Sequence, residues 1–517
     1  MAQKIQLQSG ESFTFDIHES NPFLVFPWLQ KLAIESVGRD ALLDLSRGDP
    51  GYGFSPTVRS RRFYGYLVFL DSLLNNDERR LVDRKPDEVG EILDIIRGVT
   101  TQSYESETAQ ELLSDWEEYL TKFKAIAGEQ GLPDSDWDIL LHTFGYSNCT
   151  GGNYHNPWGE PYTRAVLAHW HEQVLGQKVS YQDLMVASGA SHAIGTIYEA
   201  LGEEGIGYLK KRDRVVLFSP SYFPYVNLNE SRGLETVMIR LDPYSGEINR
   251  KDLEKAGEQP IKMIVLIDPN NPTGFCLTGG LLDEVAELAE RTNALIVTDE
   301  VYLSFLKGKK SLIQYKMAGK RTIRIDSLSK IERSTGIRFG DIYITQEGDR
   351  FISKSILQSF LRSGDTVRQL LFRAKSPGGG QVGAFQHTTV MPGPCQFLGI
   401  SHILLGEAGR KAFVGLLQEN MRVFHEVLGL PYQGNIYYSL FDLKAVPGWN
   451  RNEKEPEECF IELARLGVVL IPSNLFFFVQ DRAEARRQYI CRVSLANLST
   501  ERCKQAAELI RAYVSGV

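Results

Sequence analysis

The stretch RTIRIDSLSKIERSTGIRFG, residues 321–340, opens as a strand and closes on an arginine between two glycines. Its first residues are β-branched and short in run, the pattern of a strand buried on both faces of a parallel sheet. Lys330 follows at the polar end of that strand, with Ser327 and Ser329 beside it. Desolvation at such a place lowers an amine's pKa and frees it to attack a carbonyl carbon. Further along, GIRFG sets Arg338 where the backbone comes close enough to receive an anion, and Ser327 adds a hydroxyl. Taken alone, a lysine and an arginine on a surface loop would fit the same letters.

Working outward, the same kind of apolar burst recurs in DRVVLFSP (213–220), IKMIVLIDP (261–269) and NALIVTDE (293–300), alternating with amphipathic helical stretches. Alternation of this kind predicts a mostly parallel sheet, and in open α/β sheets ligands bind at the strand ends. Each burst here ends in chemistry. VTDEVY places Asp299 where a carboxylate emerges from burial and needs a cation, with Tyr302 three residues on. As an isolated acid Asp299 would equally cap a helix. IDPNNPTG offers the Asn271 amide in a turn held by Pro272 and Gly274, and SPSYFPY offers Tyr222 for ring stacking. SGASHAIGTIYEALG opens a helix on small residues, so free N–H groups of Gly189, Ala190 and Ser191 make an anion cradle.

A strand-end amine, a carboxylate for a ring cation, amide and hydroxyl donors, an aromatic ring and an anion cradle are the parts that pyridoxal 5'-phosphate requires. These motifs resemble the class I and II aminotransferases of fold type I: NPTG, D-x-x-Y, S-x-S-K and G-x-R-x-G follow in that family's order over roughly residues 40–510. The resemblance implies Lys330 as the Schiff-base lysine and Asp299 as partner of the pyridinium. It makes Asn271 and Tyr302 donors to the ring oxygen, and Ser191, Ser327 and Arg338 phosphate ligands. It also implies Arg492, in YICRVSLAN, as the clamp for the substrate α-carboxylate, and Tyr154 as a residue that reaches a dimer partner's phosphate.

Among the branches of that family the chain is most similar to the aspartate 4-decarboxylases, through SRGDP, QHTTVMPGP, GVVLIP and CRVSLANLS. Arg47 in SRGDP is then a second carboxylate contact. The chain departs from the pattern near the substrate side, with Ser473 and Phe477 after GVVLIP and with Glu332 and Arg333 after the lysine. The expected reaction is transamination of an amino acid, dicarboxylic or otherwise polar. The alternatives are β-decarboxylation of aspartate and β/γ-elimination or replacement.

The expected fold class is α/β, with a large domain on a mostly parallel sheet and a smaller α/β domain made from both chain ends. The expected divisions are an arm and part of the small domain (1–75), a helical insertion (76–150), the large domain (151–390), and an interdomain helix with the rest of the small domain (391–517). Residues 395–429 read as one long helix. At 517 residues with 43% hydrophobic and 24% charged residues the chain can bury a large core. A net charge of −8 and the lack of a dense Lys/Arg stripe argue against nucleic acid or an anionic membrane as partner. Six scattered cysteines without a Cys-x-x-Cys pair suit reduced thiols in the cytoplasm rather than a disulfide framework or a zinc site. His169 and His171 stand two apart, so no metal is expected there, and DSDWD (134–138) reads as a capped turn. The expected assembly is a homodimer or a larger even homo-oligomer.

Overall fold

The computed structural model describes all residues except 1–2, 16–21, 51–57, 77–79, 154, 204, 374–390, 478–488 and 517. Near the start, β1 (Gln3–Gln6) and β2 (Ser12–Phe15) form an antiparallel pair, followed by β3 (Leu43–Asp44). The large sheet draws on β4 (Leu184–Ser188), β5 (Arg214–Ser219), β6 (Glu235–Arg240), β7 (Met263–Ile267), β8 (Leu295–Asp299), β9 (Thr322–Ser327) and β10 (Phe339–Tyr343). These seven strands run in the order β4-β10-β9-β8-β7-β5-β6. The last four strands are β11 (Tyr438–Asp442), β12 (Val468–Val469), β13 (Ile471–Pro472) and β14 (Ile490–Ser494). The fold is mixed α/β, as the alternation of bursts and helices predicts.

The chain divides into two compact units. The first comprises residues 1–54, 209–305 and 414–517. In it β5 lies parallel to both β6 and β7, and β7 parallel to β8. Every residue of β7 and β8 is buried, which is why both read as unbroken apolar runs. Their register sets Ile267 beside Asp299, so the turn after β7 and the end of β8 emerge at one edge. In the same unit β3 pairs in parallel with β12, Leu43 beside Val468, while β14 runs antiparallel between β11 and β13. Strands from the two chain ends therefore pair within this unit.

The second unit comprises residues 55–208 and 306–413. Here β10 lies antiparallel to both β4 and β9, with Phe339 beside Ser188 and Gly340 beside Ser327. The helices Val58–Leu74, Ser106–Glu129, Asp136–Phe144 and Pro161–Leu175 belong to this unit. In Ser106–Glu129 one face is turned inward, with Leu112, Trp116 and Leu120 buried. Ser135 and Asp138 make a capping box at the start of Asp136–Phe144, the capped turn expected of DSDWD. His171 is buried and bonds Asp341 at 2.9 Å and Arg324 at 2.6 Å.

The long helix expected over 395–429 is instead two helices, Gly393–Leu405 and Glu407–Leu428, with Gly406 between them. A Cβ at Gly406 would lie 2.3 Å from the His402 carbonyl oxygen and 3.1 Å from both an Arg410 nitrogen and a Glu332 oxygen. The helix breaks where buried charged side chains fill that space.

Candidate active site

In the second unit the site is built from the turn joining β4 to the helix Ala190–Leu201. Gly189 has φ +80°, a conformation that a side chain resists, and it leads directly into the helix N-terminus. Arg338 precedes β10, and the register of β10 beside β4 brings it across this turn. Its guanidinium donates to the carbonyls of Thr335 at 3.2 Å and Ser188 at 3.5 Å. A Cβ on Gly189 would stand 2.6 Å from an Arg338 nitrogen, so the two share one small space. Ser191 is exposed and Ala190 half-buried at the helix start. Ser327 ends β9 and donates to the Phe339 carbonyl at 2.8 Å. Its hydroxyl also meets that of buried Ser329 at 2.8 Å. Lys330 follows, half-buried, in a turn closed by the Arg333 amide on the Lys330 carbonyl at 3.2 Å.

In the first unit Asp299 closes β8, only 5% exposed, and accepts a bond from the Tyr225 hydroxyl at 2.9 Å. Tyr222 packs against Phe223, with ring centres 5.3 Å apart, beside a cluster of Phe223, Ile471 and Phe476. Tyr302 donates to the Tyr438 hydroxyl at 3.2 Å, and its ring packs on Tyr437 and Tyr438. Burial, then the neighbouring Tyr438 and Tyr437, push the Tyr302 phenol well above its ordinary range. It acts as a neutral donor.

Arg492 sits at the middle of β14, 5% exposed. It donates to Asn271 Oδ1 at 3.3 Å and to the Ser46 carbonyl at 2.7 Å. Its guanidinium lies 4.4 Å from the Tyr438 ring centre and 4.8 Å from that of Phe476. Arg492 Nε is buried without a hydrogen-bond partner. A buried charged donor left open in this way suits an incoming carboxylate. Arg47, next to Ser46, has a half-exposed side chain and bonds Asp49 at 2.9 Å. Tyr154 lies outside the described residues.

Each unit thus gathers its own expected residues: Gly189, Ala190, Ser191, Ser327, Lys330 and Arg338 in the second, Asn271, Asp299, Tyr302 and Arg492 in the first. The donor set fits pyridoxal 5'-phosphate chemically. The second unit holds an anion cradle that a Cβ would fill and an amine, which suit its phosphate and aldehyde; the first holds a buried carboxylate and a neutral phenol, which suit its ring nitrogen and ring oxygen. Sequence reading missed Tyr225, Tyr437, Tyr438 and Phe476. Tyr225 was within reach, because it stands three residues after Tyr222 and shares a helical face with it. Tyr437 and Tyr438 carried no signal: their hydroxyls meet the Gly48 carbonyl, 389 and 390 residues away in the chain.

The mixed α/β build and the strand order match the fold of solved aminotransferases. The profile described as aminotransferase class I and II, a family whose members use pyridoxal 5'-phosphate, matches residues 147–374. It is similar to a bifunctional aspartate aminotransferase and L-aspartate beta-decarboxylase from Pseudomonas sp, 27% identical over 61% of this chain and 64% of that protein. It is also similar to an aspartate aminotransferase from Sulfolobus acidocaldarius, 26% identical over 36% of this chain and 46% of that protein. The matched part spans less than two thirds of the length of these curated relatives. In fold it resembles N-succinyldiaminopimelate aminotransferase from Mycobacterium tuberculosis, with TM-score 0.61, 17% identity, and 95% and 97% of the two chains covered. Among the described residues no helix is long and apolar enough to cross a membrane, and no group of three or more His, Cys, Asp or Glu could hold a metal ion.

Proposed function

We propose that this protein is a pyridoxal phosphate-dependent aminotransferase acting on an amino acid. The observation that carries the reading is the buried Arg492 with its unpartnered Nε, bonded to Asn271 in the same unit as Asp299 and Tyr302. The cofactor, when bound, supplies an electron sink for the substrate's α-carbon. Lys330 would hold its aldehyde, and Arg338, Ser327, Ser191 and the Gly189–Ala190 amides its phosphate. Asp299 would keep its ring nitrogen protonated, Asn271 and Tyr302 would donate to its ring oxygen, and Tyr222 would stack on the ring. Arg492 binds the substrate carboxylate through paired N–H donors, which orients the α-hydrogen. The Lys330 amine, once free, takes that proton and returns it elsewhere.

Arg47 is proposed as a contact for a polar substrate side chain, in competition with its bond to Asp49. The assembly is proposed as a homodimer in which Tyr154 reaches the partner's site, working in the cytoplasm. Six free cysteines, four of them buried, support a reducing compartment. Sedimentation giving an active monomer would remove the dimer.

A second reading, β-decarboxylation of aspartate, is favoured by the activity named for the Pseudomonas relative. One experiment addresses both. Borohydride reduction of the loaded protein should fix the cofactor to Lys330, found by mass spectrometry. Aspartate with a 2-oxo acid should then give amino transfer, and carbon dioxide with alanine would instead support decarboxylation. Label on another lysine, or on none, overturns the central assignment.

A further inference from the structure

The turn that carries Lys330 is anchored by a buried charged cluster that the proposed chemistry does not use. Two residues after the lysine, Glu332 is fully buried. Its Oε1 accepts from Arg410 at 2.5 Å, while its Oε2 has no hydrogen-bond partner. His402 Nδ1 lies 3.6 Å from Oε2. That imidazole is already bonded at both nitrogens, to Ser60 and to Ser334, each at 2.8 Å. Burial lowers the His402 pKa to about 3, so it stays neutral and cannot neutralise the acid.

The same turn is held at three further points. Ser334 reaches His402, and Arg61 donates to the Arg333 carbonyl at 3.2 Å. The Arg333 guanidinium lies 5.0 Å from the Phe413 ring centre. Within the turn the Glu332 amide bonds the Leu328 carbonyl and the Ser334 amide the Ser329 carbonyl, so its backbone moves as one piece. The groups facing Glu332 are Arg410 and His402 from the helices on either side of Gly406 and Arg61 from Val58–Leu74.

We propose that Glu332 is a positioning residue for Lys330: clamped by Arg410, its carboxyl group holds the turn carrying the amine, and its ionisation changes how that amine is held. This rests on Lys330 being the cofactor lysine. Burial raises Glu332 to about 7, against the opposing pull of Arg410 and Arg61. A carboxyl raised in the folded state stabilises the fold fully below its ordinary pKa, and that contribution is lost as pH rises through about 7. Over the same interval a negative charge grows within the turn that carries the lysine.

The test is a pH titration of the full-length, cofactor-loaded protein from pH 5.5 to 9, reading the cofactor absorption band and the thermal midpoint. The wild type should show an inflection near 7 in both. Glu332→Gln keeps the size and removes the charge. It should abolish the inflection in the thermal midpoint and lower the pH midpoint of the band by roughly one unit, the reach of one charge through partly polar protein. An unchanged spectral midpoint in Glu332→Gln, even with an altered melting profile, would reduce Glu332 to a structural part and overturn the proposal. Should that variant fail to fold by circular dichroism, Arg410→Lys decides. Weaker pairing should move the inflection to higher pH, and an unmoved inflection overturns the proposal. Absence of any cofactor band in the wild type defeats the functional reading itself.

Discussion

Asp299 illustrates how much depends on single atoms. Its carboxylate is buried at the end of β8 and accepts the Tyr225 hydroxyl at 2.9 Å. In the proposed enzyme it keeps a ring nitrogen charged, and a neutral amide cannot. Asp299→Asn should therefore retain cofactor and lose about 10²–10³ in turnover, the usual effect of deleting one preorganised charge. Tyr225→Phe removes only a hydrogen bond to that charge, and should cost about tenfold, with normal cofactor absorbance in stoichiometric amount. Equal turnover in Asp299→Asn and wild type would show that no ring cation is paired there. The motif D-x-x-Y pointed to Asp299 and Tyr302, yet its tyrosine donates to Tyr438 rather than standing alone. Nothing in the letters around residue 302 announces a partner at 438.

At the scale of elements, the strand–turn–helix unit β4 to Ala190–Leu201 carries the anion cradle. Gly189 is needed there for two separate reasons, its φ of +80° and the Arg338 nitrogen only 2.6 Å from where a Cβ would stand. Gly189→Ala strains the turn by about 1–2 kcal/mol and pushes the arginine off the place where phosphate would bind. Cofactor affinity, measured by titrating cofactor into resolved protein, should fall about tenfold or more. An unchanged dissociation constant would mean that the cradle lies elsewhere. This element was legible because small residues at a helix start follow a buried strand. The arginine's approach was half legible: GIRFG marked it as close to the backbone, but the antiparallel register of β10 beside β4 selected Gly189 as its neighbour. The break at Gly406 was not legible, since an apolar periodic run hides a gap filled from a distant turn.

Across the whole molecule, buried histidines set the response to acid. His402 is depressed to about 3 and His142 to about 4, in both cases chiefly by burial. His142 Nε2 has no partner, and its ring stacks on Tyr162 at 4.6 Å. A folded-state pKa below the unfolded value means that stability is intact above about 6.5 and is lost as pH falls toward 4. Each imidazole contributes on the order of 3 kcal/mol over that range, opposed by raised acids such as Asp326 and Glu332 and reinforced by lowered ones such as Glu118 and Glu160. The thermal midpoint should drop on going from pH 6.5 to pH 4, and calorimetry showing a flat or rising midpoint would contradict this assignment.

The order of strands and the residues at their ends were determined by local sequence. A strand buried on both faces must be apolar throughout, and a polar motif can only follow where it surfaces. Hence β5, β7, β8 and β9 were readable, together with Lys330, Asp299, Asn271 and Arg338 as strand-end chemistry. The tertiary structure alone decided what those side chains meet. Arg492 bonds the carbonyl of Ser46, 446 residues away, because segments from opposite ends of the chain meet in one unit, where the Ser494 amide also bonds the Leu45 carbonyl. Its guanidinium faces Tyr438 and Phe476, and Glu332 meets Arg410 in the gap at Gly406, for the same reason. Such contacts depend on how distant segments return to one another, and that is set by global packing rather than by any local pattern.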